Sequence, residues 1–208
     1  MKTIPHLVLF PSLMLLLASS PAGAETVKAT LAAARGEVTI NGGKPGQPLP
    51  VTMKIGAVLK TGPNSSAILI PVPGQTVFVD QNSEVEIKTC EMTPGENSSW
   101  TRRSSCNLKK GRVQCAIAHP KAGASYLDVV TPKGTLKAHG TGFATWSDEN
   151  STGTAVYAGV VTIPFGAAGI DVLPGQVATL TGEGAAAVLE VLDLKTGRLV
   201  RYATGAPG

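Results

Sequence analysis

The sequence predicts an all-β protein: one compact domain of many short, mainly antiparallel strands, arranged as a sandwich or an irregular β-roll. Three observations predict it. Strand-sized runs rich in Val, Ile and Thr recur roughly every 8 to 12 residues, each bounded by turn residues. The 24 glycines and 15 prolines supply the breaks that so many turns require. Nowhere do such runs alternate with long helical patterns, which disfavours an α/β architecture.

The first residues belong to targeting rather than fold. Lys2, an apolar run over residues 7–18 and Ala22-Gly23-Ala24 have the layout of a secretory signal peptide, residues 1–24, cleaved after Ala24. The run is broken by Pro11 and is short for a bilayer span of about 20 residues. No cysteine follows the small residues to carry a lipid. The expectation is an exported chain, periplasmic or secreted, with no transmembrane helix after cleavage and one domain over residues 25–208.

Residues 28–34 are Ala-rich and also fit a helical turn, but Gly36-Glu37-Val38-Thr39-Ile40 alternates and stops at Asn41-Gly42-Gly43, a strand and a tight turn. Three prolines between 45 and 50 make a loop, since each removes a ladder donor. A short apolar segment over 55–62 leads into the turn Pro63-Asn64-Ser65-Ser66. Residues 67–72 and 76–80 read as a hairpin about Pro73-Gly74. Residues 83–88 alternate strictly, which buries Val85 and Ile87 and leaves Glu84, Glu86 and Lys88 in water. Residues 91–105 read as a polar loop containing Trp100, Arg102 and Arg103, and 107–115 as a hairpin about Lys110-Gly111.

The packed centre is expected over residues 128–163, as three consecutive antiparallel strands separated by turns at Pro132-Lys133-Gly134 and 148–153. In its middle run Gly140 and Gly142 flank Thr141, and alternation turns Phe143 away from the face of Ala144 and Trp146. Residues 170–173 and 177–180 are further strands. The segment 186–203 forms a last hairpin about Lys195-Thr196-Gly197, although its apolar spacing also fits two helical turns.

Three cysteines, Cys90, Cys106 and Cys115, lie in the exported part, where disulfides persist. Three pairings are possible. A Cys90–Cys106 bridge is favoured: it leaves Cys115 unpaired, closes the polar loop and adds roughly 3 kcal/mol on the chain-entropy model. Metal ligation is disfavoured because there is no paired CxxC spacing and His119 is the only histidine nearby, and no cofactor is expected.

The formal net charge is +4, or +3 once Lys2 is removed. Basic residues cluster at Arg102-Arg103 and at Lys109-Lys110 with Arg112, but aromatics are only 4% of the chain and offer no stacking platform, so nucleic acid is not an expected partner. Catalysis needs a nucleophile, base or metal held together. The exported part offers only His119 and His139 as imidazoles, and Asp148 and Glu149 are adjacent, so on a strand they diverge. No catalytic residue is assigned. What remains is a non-enzymatic interaction or scaffold module that binds another cell-envelope protein through strand edges and loops, with Trp100, Arg102 and Arg103 as contact residues. The alternative is a glycan-binding module for envelope or extracellular polysaccharide, which requires Trp100 and Trp146 to share one exposed face.

Several segments in order resemble one known family. Gly36-Glu37-Val38, then Gly56-Ala57-Val58-Leu59-Lys60-Thr61-Gly62, Ser65-Ser66-Ala67 and the run 78–87 are similar to the opening half of a FecR domain. Leu108-Lys109-Lys110-Gly111-Arg112-Val113 resembles its L-x-x-G-x-V motif, and Thr131-Pro132 followed by Gly140-Thr141-Gly142-Phe143 resembles its T-P and G-T-x-F signature. Leu173-Pro174-Gly175-Gln176 looks like the closing L-x-x-G-Q turn, so the resemblance covers about residues 35–180. It implies an all-β periplasmic module without catalytic residues, in which Thr131, Pro132, Gly140, Thr141 and Phe143 are structural positions. In the best-known members that module follows a cytoplasmic segment that binds a sigma factor and one membrane helix, and relays a signal from an outer-membrane transporter. Here a signal peptide takes the place of the cytoplasmic segment and helix, and the chain leaves no room for the further C-terminal domain that meets the transporter. Direct sigma-factor control is therefore not implied.

Overall fold

The computed structural model describes residues 23–118 and 123–204. The expected signal peptide, apart from Gly23 and Ala24, and His119 lie outside the described residues.

Among the described residues, sixteen strands join into one continuous hydrogen-bonded sheet. In chain order they are β1 (Glu25–Thr26), β2 (Ala29–Arg35), β3 (Val38–Ile40), β4 (Val51–Met53), β5 (Val58–Thr61), β6 (Ser66–Ile70), β7 (Gln75–Val79) and β8 (Glu84–Pro94). They continue with β9 (Trp100–Ile117), β10 (Gly123–Thr131), β11 (Gly134–Ser147), β12 (Ser151–Ile163), β13 (Ile170–Val172), β14 (Gln176–Thr181), β15 (Val188–Asp193) and β16 (Leu199–Ala203). The only helical pieces among the described residues are single 3₁₀ turns at Glu96–Ser98 and Gly184–Ala186. No helix there is long and apolar enough to cross a membrane. The protein is all-β, as its turn spacing predicts.

Strand β9 is the hub. A strand has two edges, yet this one pairs with four others, because its two halves take different partners. The first half lies between β8, antiparallel, and β10, parallel; the second lies between β7 and β11. The expected hairpin about Lys110-Gly111 is therefore corrected to one bent strand. Gly111 makes the bend: its φ is +94°, and a Cβ there would lie 2.5 Å from Ser83 Cα. The Ser83 hydroxyl accepts from the Arg112 N–H at 3.0 Å, and the Ser83 N–H donates to Thr61 Oγ1 at 3.0 Å. The Ser83-x-Val85-x-Ile87 run and the Leu108-x-x-Gly111-x-Val113 motif are thus two sides of one contact.

The expected polar loop over 91–105 is corrected too. Residues 91–94 extend β8 and residues 100–105 begin β9, paired from Glu91 with Arg103 to Pro94 with Trp100, so only residues 95–99 turn. That register decides the fate of the cysteines. Cys90 faces Ser104 and Cys106 faces Ile87, a diagonal relation, and all three cysteines are buried free thiols in place of the expected Cys90–Cys106 bridge. Burial pushes the thiols up, Cys90 to about 11 and Cys106 to about 12. The Ala-rich segment is strand as well: β2 buries Ala29 and Leu31 and pairs with β4 and β6.

From β10 onward the sheet runs β10-β11-β12-β14-β15-β16, each pair antiparallel. Strand β13 adds to the side of β12. Phe143 on β11 is among the largest fully buried side chains and sits between Cys115 and Val156. It joins Leu31, Leu59, Val85, Leu127 and Ile163 in one apolar core. Trp146, half-buried, lies flat over Gly153, where any added Cβ would collide with the indole.

Thr131 explains the T-P signature. Its buried hydroxyl donates to the Gly134 carbonyl at 2.9 Å, closing the β10–β11 turn, and accepts from Thr152 Oγ1 at 3.1 Å. Thr152 in turn is 3.1 Å from Ser147 Oγ, so a chain of hydroxyls ties the β10–β11 turn to the β11–β12 turn inside the core. Every buried hydroxyl in it has a partner, which is what a low-dielectric interior demands.

Candidate functional site on the outer face of β9 to β12

Alternation assigns the two neighbouring arginines to opposite sides of β9. Ser104, Cys106 and Leu108 are buried, so Arg102 belongs to the inward file and Arg103 to the outward one. Of the expected contact residues, only Arg103 is exposed; Trp100 and Arg102 are half-buried.

Register then builds a row across the outer face. Tyr126 on β10 is opposite Arg103 on one side and His139 on the other. The Arg103 guanidinium lies over the Tyr126 ring, 4.5 Å from its centroid, and the His139 imidazole meets the same ring edge-on with centroids 5.4 Å apart. A cation over a tyrosine face is held by the ring quadrupole, so the three side chains support one another without an acid.

The next row is charged. Ser105, Asp128 and Lys137 align on β9, β10 and β11, followed by Thr162 on β12 and Asp171 on β13. Burial holds the Asp128 carboxyl above its ordinary value of 3.8, against the pull of Lys137, Arg103 and His139. Thr162 Oγ1 donates to Asp171 Oδ1 at 2.6 Å. Beyond His139 the row reaches Val160 on β12; across the bulge from it Tyr157 is 60% exposed, its Cβ 4.0 Å from where a Cβ on Gly142 would be. Gly140 and Thr141 lie in β11 beside this bulge.

Tyr126, Asp128 and Lys137 are absent from the sequence-derived candidates. The signal for them is the alternation Ser125-Tyr126-Leu127-Asp128-Val129, in which an aromatic and an acid occupy the positions that the buried Ser125, Leu127 and Val129 leave facing out. The second basic cluster is spent on structure. Lys109 sits 3.3 Å from Glu84, which also pairs with Lys60 at 3.0 Å, and Arg112 reaches Asp80 at 3.9 Å. The two tryptophans do not share a face: Trp100 begins β9 beside Gly123, whereas Trp146 lies beside Arg112 past the bend. The aromatic platform that the glycan reading needs is not formed.

A family model described as "FecR protein" matches residues 57–162, just over half of the chain. No curated protein matches. Two crystal structures described as a "putative anti-sigma factor" from Parabacteroides distasonis, at 1.65 and 2.50 Å resolution, are similar at 12% and 11% identity with TM-scores of 0.44 and 0.43. Each comparison covers 72% of this chain and 60% of the other, so the chain spans about three fifths of the length of those proteins. The matched segment begins just before β5 and ends within β12, and so takes in β9 and the whole Arg103–Tyr126–His139 row.

Proposed function

The chain belongs to the FecR protein family, and from that premise we propose that it is a non-enzymatic, exported interaction module of the cell envelope whose contact surface is the outer face of β9 to β12. Membership supports a signalling or interaction role for the chain. Export is supported by the apolar run over 7–18 followed by Ala22-Gly23-Ala24. The observation that carries the contact surface is the Arg103–Tyr126–His139 row: a cation, an aromatic and an imidazole placed side by side on an exposed sheet face. Arginine and tyrosine are the residue types that concentrate binding energy at protein interfaces. The partner is a cell-envelope protein.

The test compares two baits in the organism's own envelope fraction, the wild-type protein and an Arg103→Ala/Tyr126→Ala variant, with retained proteins identified by mass spectrometry. A partner held by the wild type and lost by the variant is the expected result. An identical retained set from both baits removes this face as the contact surface.

A further inference from the structure

A buried cation stands at the wall of a small cavity, and its counter-ion stands outside. The cavity, about 280 Å³ in volume, lies between the β10–β11 turn, the turn that follows β12 and the link from β14 to β15. Pro132, Pro164, Phe165, Leu180 and Ala187 give it apolar walls, and Lys133 is the cation among its lining residues. At about 30 Å³ for each water, it has room for about nine waters, or for a molecule of about that many heavy atoms.

The ion pair at this cavity is lopsided. The Lys133 ammonium is 2.8 Å from the Glu183 carboxylate, yet the lysine side chain is 6% exposed and the glutamate side chain 80%. Every other ion-paired cation among the described residues keeps at least 45% of its side chain in solvent. The lysine is carried by a turn that Thr131 closes on the Gly134 carbonyl, and Gly134, having no Cβ, lets Pro164 pack against that turn. The glutamate is carried differently. It sits between Gly182 and Gly184, both at positive φ, on a link whose residues 183–186 are all exposed. A withdrawn ammonium must be met by an acid, and here that acid is a side chain that water already reaches. An exposed carboxylate holds such a pair weakly, so another acid can take its place and meet the ammonium as Glu183 leaves it.

We infer that this cavity is a binding site for a small organic acid, one carboxylate on an apolar body, with Lys133 receiving the carboxylate and Glu183 holding its place in the free protein. Pro132, Pro164, Phe165 and Leu180 cover the body, in the way of sites that pair apolar walls with a single polar anchor. The ammonium faces one carboxylate before the exchange and one after it, so no charge is stranded. A neutral molecule leaves Lys133 to Glu183 and gains apolar contact alone. The site goes beyond the contact surface proposed above and shares no residue with the Arg103–Tyr126–His139 row, so the two readings fail separately.

The experiment is a calorimetric titration of the purified protein, at fixed ionic strength set with chloride, using benzoate, benzamide and acetate: the charged body, the same body without its charge, and the charge without the body. Benzoate is expected to bind the wild type with a Kd of about 1 mM, about tenfold tighter than either of the others. Glu183→Gln removes the internal competitor and should tighten benzoate binding about two- to fivefold. Lys133→Met should abolish it. Equal affinity for benzamide, or undiminished binding by Lys133→Met, overturns the contact between lysine and carboxylate; equal affinity for acetate overturns the part given to the apolar walls. Weaker binding by Glu183→Gln than by the wild type overturns the exchange. No binding of benzoate to the wild type or to Glu183→Gln up to about 10 mM overturns the site. Melting curves without ligand show that each variant is folded; if Lys133→Met is not, Glu183→Gln decides the matter alone, because the side chain it alters is exposed.

Discussion

The two ends of β9 are finished in opposite ways. At the bend, Gly111 is pressed against Ser83, and the serine answers the Arg112 N–H while Thr61 answers the serine's own. Every polar group of Ser83 is spent, and there is no space for a side chain at 111. At the start of the strand, Arg102 brings a charged donor into the sheet and finds no acceptor, and Arg103 on the reverse face rests on a tyrosine in open solvent. One end is saturated and fixes the course of the chain; the other carries unspent capacity for interaction. Stability and recognition are thus divided along a single strand.

The largest break is expected at the saturated end. Gly111→Ala puts a Cβ 2.5 Å from Ser83 Cα at a φ of +94°, and should cost about 3 kcal/mol or more, read as a lower urea midpoint at unchanged slope. Next is the hydroxyl chain behind the β10–β11 turn. Thr131→Val keeps the shape but removes the donor to the Gly134 carbonyl and leaves the Thr152 hydroxyl with Ser147 alone, a loss of about 1–3 kcal/mol by the same measurement.

A smaller effect, confined to acid, belongs to Asp128. Its folded-state carboxyl titrates above the ordinary 3.8, so above that value the native state holds a proton that the unfolded state has released. Stability is therefore full below 3.8 and declines as pH rises through the folded value. Asp128→Asn should flatten that part of the profile, as seen in melts from about pH 3 to pH 7; an unchanged profile would mean that the carboxyl is not desolvated. The smallest effect is expected at the open end. Arg103→Ala should change stability by no more than about 0.5 kcal/mol, because an exposed cation on one ring holds little of the fold.

Much of the fold is legible locally. Val85 and Ile87 are buried and Glu84 and Lys88 pair with surface charges because period-two alternation needs no knowledge of the neighbours. The last strand pair, β15 with β16, also follows from alternation across a Thr-Gly turn. What escapes is whatever depends on distant pairing. Lys110-Gly111 has the chemistry of a hairpin turn, but a hairpin forms only if its arms pair with each other, and here both arms are already held by other strands. The parallel run of β9 beside β10 leaves no mark on either segment. Closing a polar loop favours a Cys90–Cys106 bridge, whereas the separation of the cysteines is set by the β8–β9 register, which slips between Ile87 and Thr89. Arg103 is legible as a surface charge. Its tyrosine is not, since only the neighbouring strand shows where Tyr126 points.

A shared beam has a mechanical consequence. The strands before β9 and those after it both hang on the same eighteen residues. Neither side can detach without stripping that beam of a partner along both of its halves. The molecule should therefore melt in one step, and fragments cut on either side of β9 should expose raw backbone and clump rather than fold.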